Sequence, residues 1–196
     1  MMALVLMVVV PGVLWGWAYG SRSRQLGSSL VMGMGLAYVV NIFGLLLIHY
    51  VPGPIPRGYA FALTVLNTAV PAVILWRRRD NVRTTPRLHL GAPVLLLILG
   101  VALLLRVLNV SYNEVEGDEA LILLQSAQAL GGRDDMLFWH KKGPVEVLIP
   151  MLSWLIQGSM NEMVLRSPFV LAGLLAVAAF ALLSDRWHGR TAAVFA

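Results

Sequence analysis

The 196-residue chain has no cysteine, only two lysines, and only 13% charged residues. Without cysteine there can be no disulfide, no thiolate nucleophile and no Cys-based metal site, and the redox compartment is left open. The shortage of charge excludes a single water-soluble core, because soluble domains are about a quarter charged. What fills the gap is apolar: 58% of the residues are hydrophobic and the mean hydropathy is +0.75. Basic residues number 15, all arginine apart from Lys141 and Lys142, and the net charge is +5. That balance is not a nucleic-acid signature here, since basic residues of membrane proteins gather in cytoplasmic loops.

Runs of roughly 20 apolar residues cross a hydrocarbon core of about 30 Å. The pattern predicts hydrophobic helices near 3–20, 26–50, 59–76, 91–110, 144–158 and 166–184, with a seventh begun near 190. The expected fold is an all-α integral membrane protein, a polytopic bundle of about six to seven transmembrane helices. The N-terminal run lacks a basic n-region and is longer than a signal-peptide core, so it is expected to remain as the first helix. The sequence stops at "RTAAVFA", inside what reads as another helix, and an N-terminal fragment is expected. Pro11 and Pro71 fall within apolar runs, which membrane helices tolerate.

Arginine placement sets the expected orientation. Arg22 and Arg24 lie in one connector; Arg77, Arg78, Arg79, Arg83 and Arg87 lie in another. Both are expected in the cytoplasm. The turn at 51–58, with only Arg57, is then outside, and alternation puts 111–142 on the outer face of the plasma membrane. The same alternation returns 159–165 to the cytoplasm and puts "DRWHGR" outside, which Arg186 and Arg190 mildly oppose.

The outer segment breaks the scarcity of charge. "NVSYNEVEGDEALILLQ" holds Glu114, Glu116, Asp118 and Glu119 within six positions. A short juxtamembrane helix is expected from Gly117 or Asp118 to the stop at Gly131–Gly132. Its apolar flank would be Leu121, Leu123, Leu124, Ala127 and Leu130, its polar flank Gln125, Ser126 and Gln128, and it would lie along the membrane surface. Phe138 and Trp139 suit interfacial depth.

Each charge has an ordinary explanation. Asp118 is a natural helix cap, Glu119 suits the helix dipole, and the lysines suit snorkelling anchors. Lys142 and Glu146 have i,i+4 spacing. Taken together, an acidic pair opens the surface helix, a lysine pair closes the same loop, and Arg106 ends the preceding helix. A carboxylate can hold or deprotonate an acceptor hydroxyl, while cations can stabilise charge on a phosphate leaving group. Intramembrane Asn41 and His49 are best read as helix–helix hydrogen-bonding groups, and Gly27, Gly33 and Gly35 as close-packing positions.

The order "GDEA", a helix ending "GG", "KKGP", "NEMVLRSPFVLAGLLAV" and "RWHGRTAAVFA" resembles the N-terminal part of GT-C fold membrane glycosyltransferases, closest to the protein O-mannosyltransferase and aminoarabinose transferase branches. The resemblance covers about 95–196, so that 1–90 becomes a three-helix N-terminal extension and 91–196 the start of the glycosyltransferase membrane domain. It implies transfer of a sugar from a polyprenyl-phosphate donor to a lipid, protein or glycan acceptor. It makes Asp118 the catalytic aspartate, Glu119 its supporting neighbour, and Lys142 and Arg106 the donor-phosphate ligands. The common Lys-Pro of the family is Lys-Gly-Pro here. Glu162 and Arg166 match an "E…R.P" signature, and their spacing also suits a structural ion pair on the cytoplasmic side, the preferred expectation. A divalent metal ion is the one candidate cofactor, with Glu116 and His140 as weak candidate ligands and no second histidine. The competing expectations are a multi-pass transporter and a non-catalytic membrane subunit.

Overall fold

The computed structural model describes residues 2–20, 26–50, 55, 57–78, 92–108, 110, 117–139 and 143–189. All regular structure among them is helical. The first helix, α1, runs through Met2–Leu4, a π-helical turn at Val5–Val9, and Val10–Gly20. Then follow α2 (Leu26–Tyr50), α3 (Arg57–Arg77), α4 (Ala92–Val107), α5 (Gly117–Leu130), a 3-10 turn at Asp134–Phe138, α6 (Val145–Gln157) and α7 (Glu162–His188).

Four of these, spanning Met2–Tyr19, Gly27–Tyr50, Arg57–Arg77 and Glu162–His188, are long and apolar enough to cross a membrane. That is fewer than the six to seven expected. Helix α6 has 13 residues, about 20 Å at 1.5 Å per residue, and is too short. Helix α4 has 16 residues, about 24 Å. The seventh helix expected near 190 lies outside the described residues.

Helices α1 and α2 are interlocked by glycine. "GVLWG" is a GxxxG motif, and a Cβ on Gly33 of α2 would lie 2.2 Å from the Gly12 carbonyl and 2.3 Å from the Gly16 nitrogen. Lipid tails are as apolar as leucine, so helices in a bilayer associate through such close van der Waals packing. Gly33 meets the packing role expected for it, whereas Gly35 faces open space.

Buried amides complete this unit. Pro11 has no N–H to offer the Met7 carbonyl four residues back, and Asn41 Nδ2 donates to that oxygen at 2.6 Å. Asn67 Nδ2 donates to the Ala37 carbonyl (3.2 Å) and Asn41 Oδ1 (3.3 Å), and Asn67 Oδ1 accepts from Trp15 Nε1 at 2.8 Å. The helix–helix role expected of Asn41 is present, in a network that α1 and α3 share.

The same contacts fix direction. Helix α2 is antiparallel to both α1 and α3, and Arg78 Nη1 reaches the Ala18 carbonyl at 2.8 Å, so α1 and α3 end together. Helix α4 is antiparallel to α7, with Arg106 against Gly173 and the Val110 carbonyl against Arg166. Gln157 Oε1 accepts from the Ala3 amide (3.3 Å), and Arg57 Nε donates to the Leu155 carbonyl (2.9 Å). Helix α6 therefore ends where α1 and α3 begin. Tyr38 donates to the Pro168 carbonyl (2.6 Å), which seats the first turns of α7 against the middle of α2.

The bundle thus has two ends. One gathers Gly20, Leu26, Arg77 and His188; by sequence its connectors hold most of the arginines, and it is called the basic end. The other gathers Met2, Tyr50, Arg57, Val107 and Glu162, and carries α5, the 3-10 turn and α6 as a cap. Leu137, Leu148, Met151 and Leu152 of the cap are buried with Met7 and Leu45 of the bundle. The expected alternation fails at α6. The chain does not cross there, so 159–165 lies at the same end as the acidic helix, and Arg186 joins the basic end.

Exposed aromatic side chains ring both ends. Trp17, Tyr19, Trp76 and Trp187 stand out at the basic end, and Tyr50, Tyr59, Phe138 and Trp139 at the cap end. Such rings favour the membrane–water interface. Tyr59 and Trp76 are seventeen positions apart on α3, about 26 Å along the helix axis.

Candidate functional site

The acidic helix α5 is the centre of the site. Gly132, at φ +93°, and Gly131, whose amide bonds to the Ala127 carbonyl (3.0 Å), end it where expected. Its polar flank is turned into the protein. Gln125 and Ser126 are buried with Ile122 and Ala129, while Leu121 and Leu124 are exposed. Ser126 Oγ bonds to the Ile122 carbonyl (2.7 Å) and the Val147 carbonyl of α6 (3.3 Å). A helix lying on a bilayer surface would turn its leucines into the lipid below it and its amides to water. Here the amides face protein and the leucines face away, the arrangement of a helix whose surroundings are themselves apolar.

Asp118 and Glu119 occupy the first turn of α5, where the exposed backbone N–H groups favour negative charge. Glu119 is gripped by Arg166 from the first turn of α7: Nε lies 3.0 and 3.1 Å from its two oxygens and Nη2 lies 2.6 Å from Oε2. The third nitrogen, Nη1, donates to the Val110 carbonyl at 2.5 Å. One guanidinium thus ties the end of α4, the start of α5 and the start of α7. Its side chain is 16% exposed and that of Glu119 40%. The charge of Glu162, one turn before Arg166, acts on the guanidinium as their spacing suggests, but the carboxylate that grips it is Glu119, and the group sits at the end that carries the acidic helix, not at the opposite end as expected. Asp118 is exposed beside it.

Arg106 packs against α7 at Gly173. Its Nε would be 3.1 Å from a Cβ on Gly173, so the glycine makes room for the guanidinium. Nη1 bonds to the Ala102 carbonyl of its own helix at 3.2 Å, and no carboxylate among the described residues pairs with it. Measured from Trp187 along α7, Gly173 is about 21 Å away and Arg166 about 31 Å. Against an aromatic spacing of about 26 Å, Arg106 lies just inside the ring of aromatics and the Arg166–Glu119 pair just beyond it.

The remaining predicted site residues, Glu116, His140 and Lys142, lie outside the described residues, as do Glu114 and Lys141. Among the described residues no three His, Asp or Glu side chains are grouped to hold a metal ion.

Arg166 is the site residue whose partner sequence reasoning missed. The signal was weak: an acidic pair and an arginine, each in the first turn of a helix, with 47 residues between them and no periodicity to join them. No family model, no curated protein and no solved structure matches the chain.

Proposed function

We propose that the chain is part of a membrane glycosyltransferase that takes a sugar from a polyprenyl-phosphate donor at the outer face of the plasma membrane. Most arginines lie in or beside the basic end, and basic loops stay in the cytoplasm, so the cap faces outward. The observation that carries the reading is the place of Asp118, exposed in the first turn of α5 at headgroup depth. Its neighbour Glu119 is held by Arg166, which keeps the start of α5 still. There Asp118 accepts the proton of an acceptor hydroxyl as that oxygen attacks the anomeric carbon. The bond to the carrier phosphate breaks, and Arg106, with Lys142 from the same loop, stabilises the departing phosphate.

Asp118→Asn in the protein expressed in its own membrane tests this. Loss of transfer from a polyprenyl-phosphate sugar, with unchanged expression and thermal midpoint, is the expected outcome. Retained transfer removes Asp118 from the mechanism.

A further inference from the structure

A second cation at the cap end has no part in that reading. Arg57 opens α3, where the helix dipole disfavours positive charge, so α3 itself does not explain it. Its Nε is held by the Leu155 carbonyl at 2.9 Å, and its Cζ lies 5.7 Å from the centroid of the Phe61 ring. Gly158, at φ +81°, ends α6 beside it, and a Cβ there would come within 3.0 Å of Nη2. The side chain is therefore fixed at one edge, and with Ile55, Leu130, Trp154, Leu155 and Gly158 it lines an open cavity of about 310 Å³. No carboxylate among the described residues pairs with Arg57. Two positions on, Tyr59 belongs to the aromatic ring of the cap end, so the cavity opens at lipid headgroup depth.

We propose that this cavity, where α3, α5 and α6 meet, binds the anionic headgroup of a bilayer phospholipid. The guanidinium presents a planar fork to a phosphate oxygen pair, and Ile55, Leu130 and Leu155 offer apolar walls to the glycerol and upper acyl carbons. A bare phosphate would leave those walls uncovered, which is why the occupant is a lipid.

The test uses the whole chain in nanodiscs and lipids brominated near the headgroup, which quench tryptophan on contact. Trp154 emission is isolated by difference against Trp154→Phe. Brominated phosphatidylglycerol should quench it at about five-fold lower mole fraction than brominated phosphatidylcholine, the size of one arginine–anionic headgroup contact near a membrane surface. Arg57→Gln should abolish the preference, and Arg133→Gln, an exposed arginine paired with Asp135, should leave it intact. Leu130→Trp fills the cavity and keeps the cation; it should lower lipid occupancy, read by native mass spectrometry, and carries the test if Arg57→Gln does not fold. Equal quenching by both lipids overturns the proposal, as does a preference that survives Arg57→Gln or occupancy unchanged by Leu130→Trp. Millimolar inorganic phosphate in phosphatidylcholine discs should leave the emission unchanged; a response would show that the cavity reads free phosphate and sink the lipid assignment.

Discussion

The three N-terminal helices and the α4–α7 pair are built from similar apolar sequence and held together differently. In the first unit, backbones touch at Gly12, Gly16 and Gly33, and four buried polar side chains or carbonyls close on one another through Trp15, Asn67 and Asn41. In the second, α4 leaves Leu96, Leu97, Leu104 and Leu105 exposed, and its charged tie to the rest is the Val110 carbonyl, just past its end, on Arg166. Hydrophobicity alone does not assemble helices in an apolar solvent. Small residues and satisfied amides do, and they are concentrated in the unit that carries no candidate catalytic group. The exposed charges Asp118 and Arg106 belong to the other, more openly packed unit.

The largest expected effect breaks the first unit. Gly33→Leu places a side chain where two backbones already lie, and should cost more than about 3 kcal/mol; loss of a monodisperse species on size-exclusion chromatography is the readout. Gly35→Leu, one helical position class away and facing open space, should shift the thermal midpoint by no more than the equivalent of about 0.5 kcal/mol. Equal damage from both would mean that α1 and α2 do not meet at Gly33.

How much of this could be read from the sequence depends on the physics behind each feature. Helix edges were legible, because apolar runs end at Gly131–Gly132, Gly158 and the prolines of 51–58, and those residues punctuate any backbone. The span count was not. An apolar helix buried in protein, like α6, has the same composition as one buried in lipid, and only its 13-residue length tells them apart. The mistaken side for 159–165 followed from that single miscount. The leucine flank of α5 was legible, but that its amides turn into the protein depends on packing against α6. Glu119 and Asp118 were found by position, but that Glu119 is held by Arg166 is a matter of tertiary packing that no local pattern encodes.

Asn41→Leu tests the amide network at its most exposed weakness. Asn41 Nδ2 donates to the buried Met7 carbonyl, so its removal takes that hydrogen bond out of an apolar core. A loss of about 1–3 kcal/mol is expected. An unchanged thermal midpoint would show that the carbonyl is satisfied some other way.

The charged tie of the second region should be worth somewhat less. Arg166→Ala removes three hydrogen-bonding nitrogens, but the pair is partly exposed, so about 1–2 kcal/mol is expected. Glu119→Gln should recover nothing further in the Arg166→Ala background, because its partner is already gone. A further loss from Glu119→Gln in that background would show that Glu119 is held by something besides Arg166.

The smallest effect, and the one that sharpens the comparison most, is expected at Arg106. Its guanidinium lies inside the aromatic ring, bonds to the Ala102 carbonyl of its own helix, and meets no described carboxylate. A cation at that depth is costly unless it reaches the interface or an anion. Arg106→Leu should therefore leave the thermal midpoint unchanged or raise it, by up to about 1 kcal/mol in stability, in a chain where Gly33→Leu destroys the fold. Residues that contribute nothing to stability and still sit in an unfavourable solvent are retained for what they bind. A clear destabilisation by Arg106→Leu would instead make the arginine a structural strut against Gly173, and would remove it from the list of phosphate ligands.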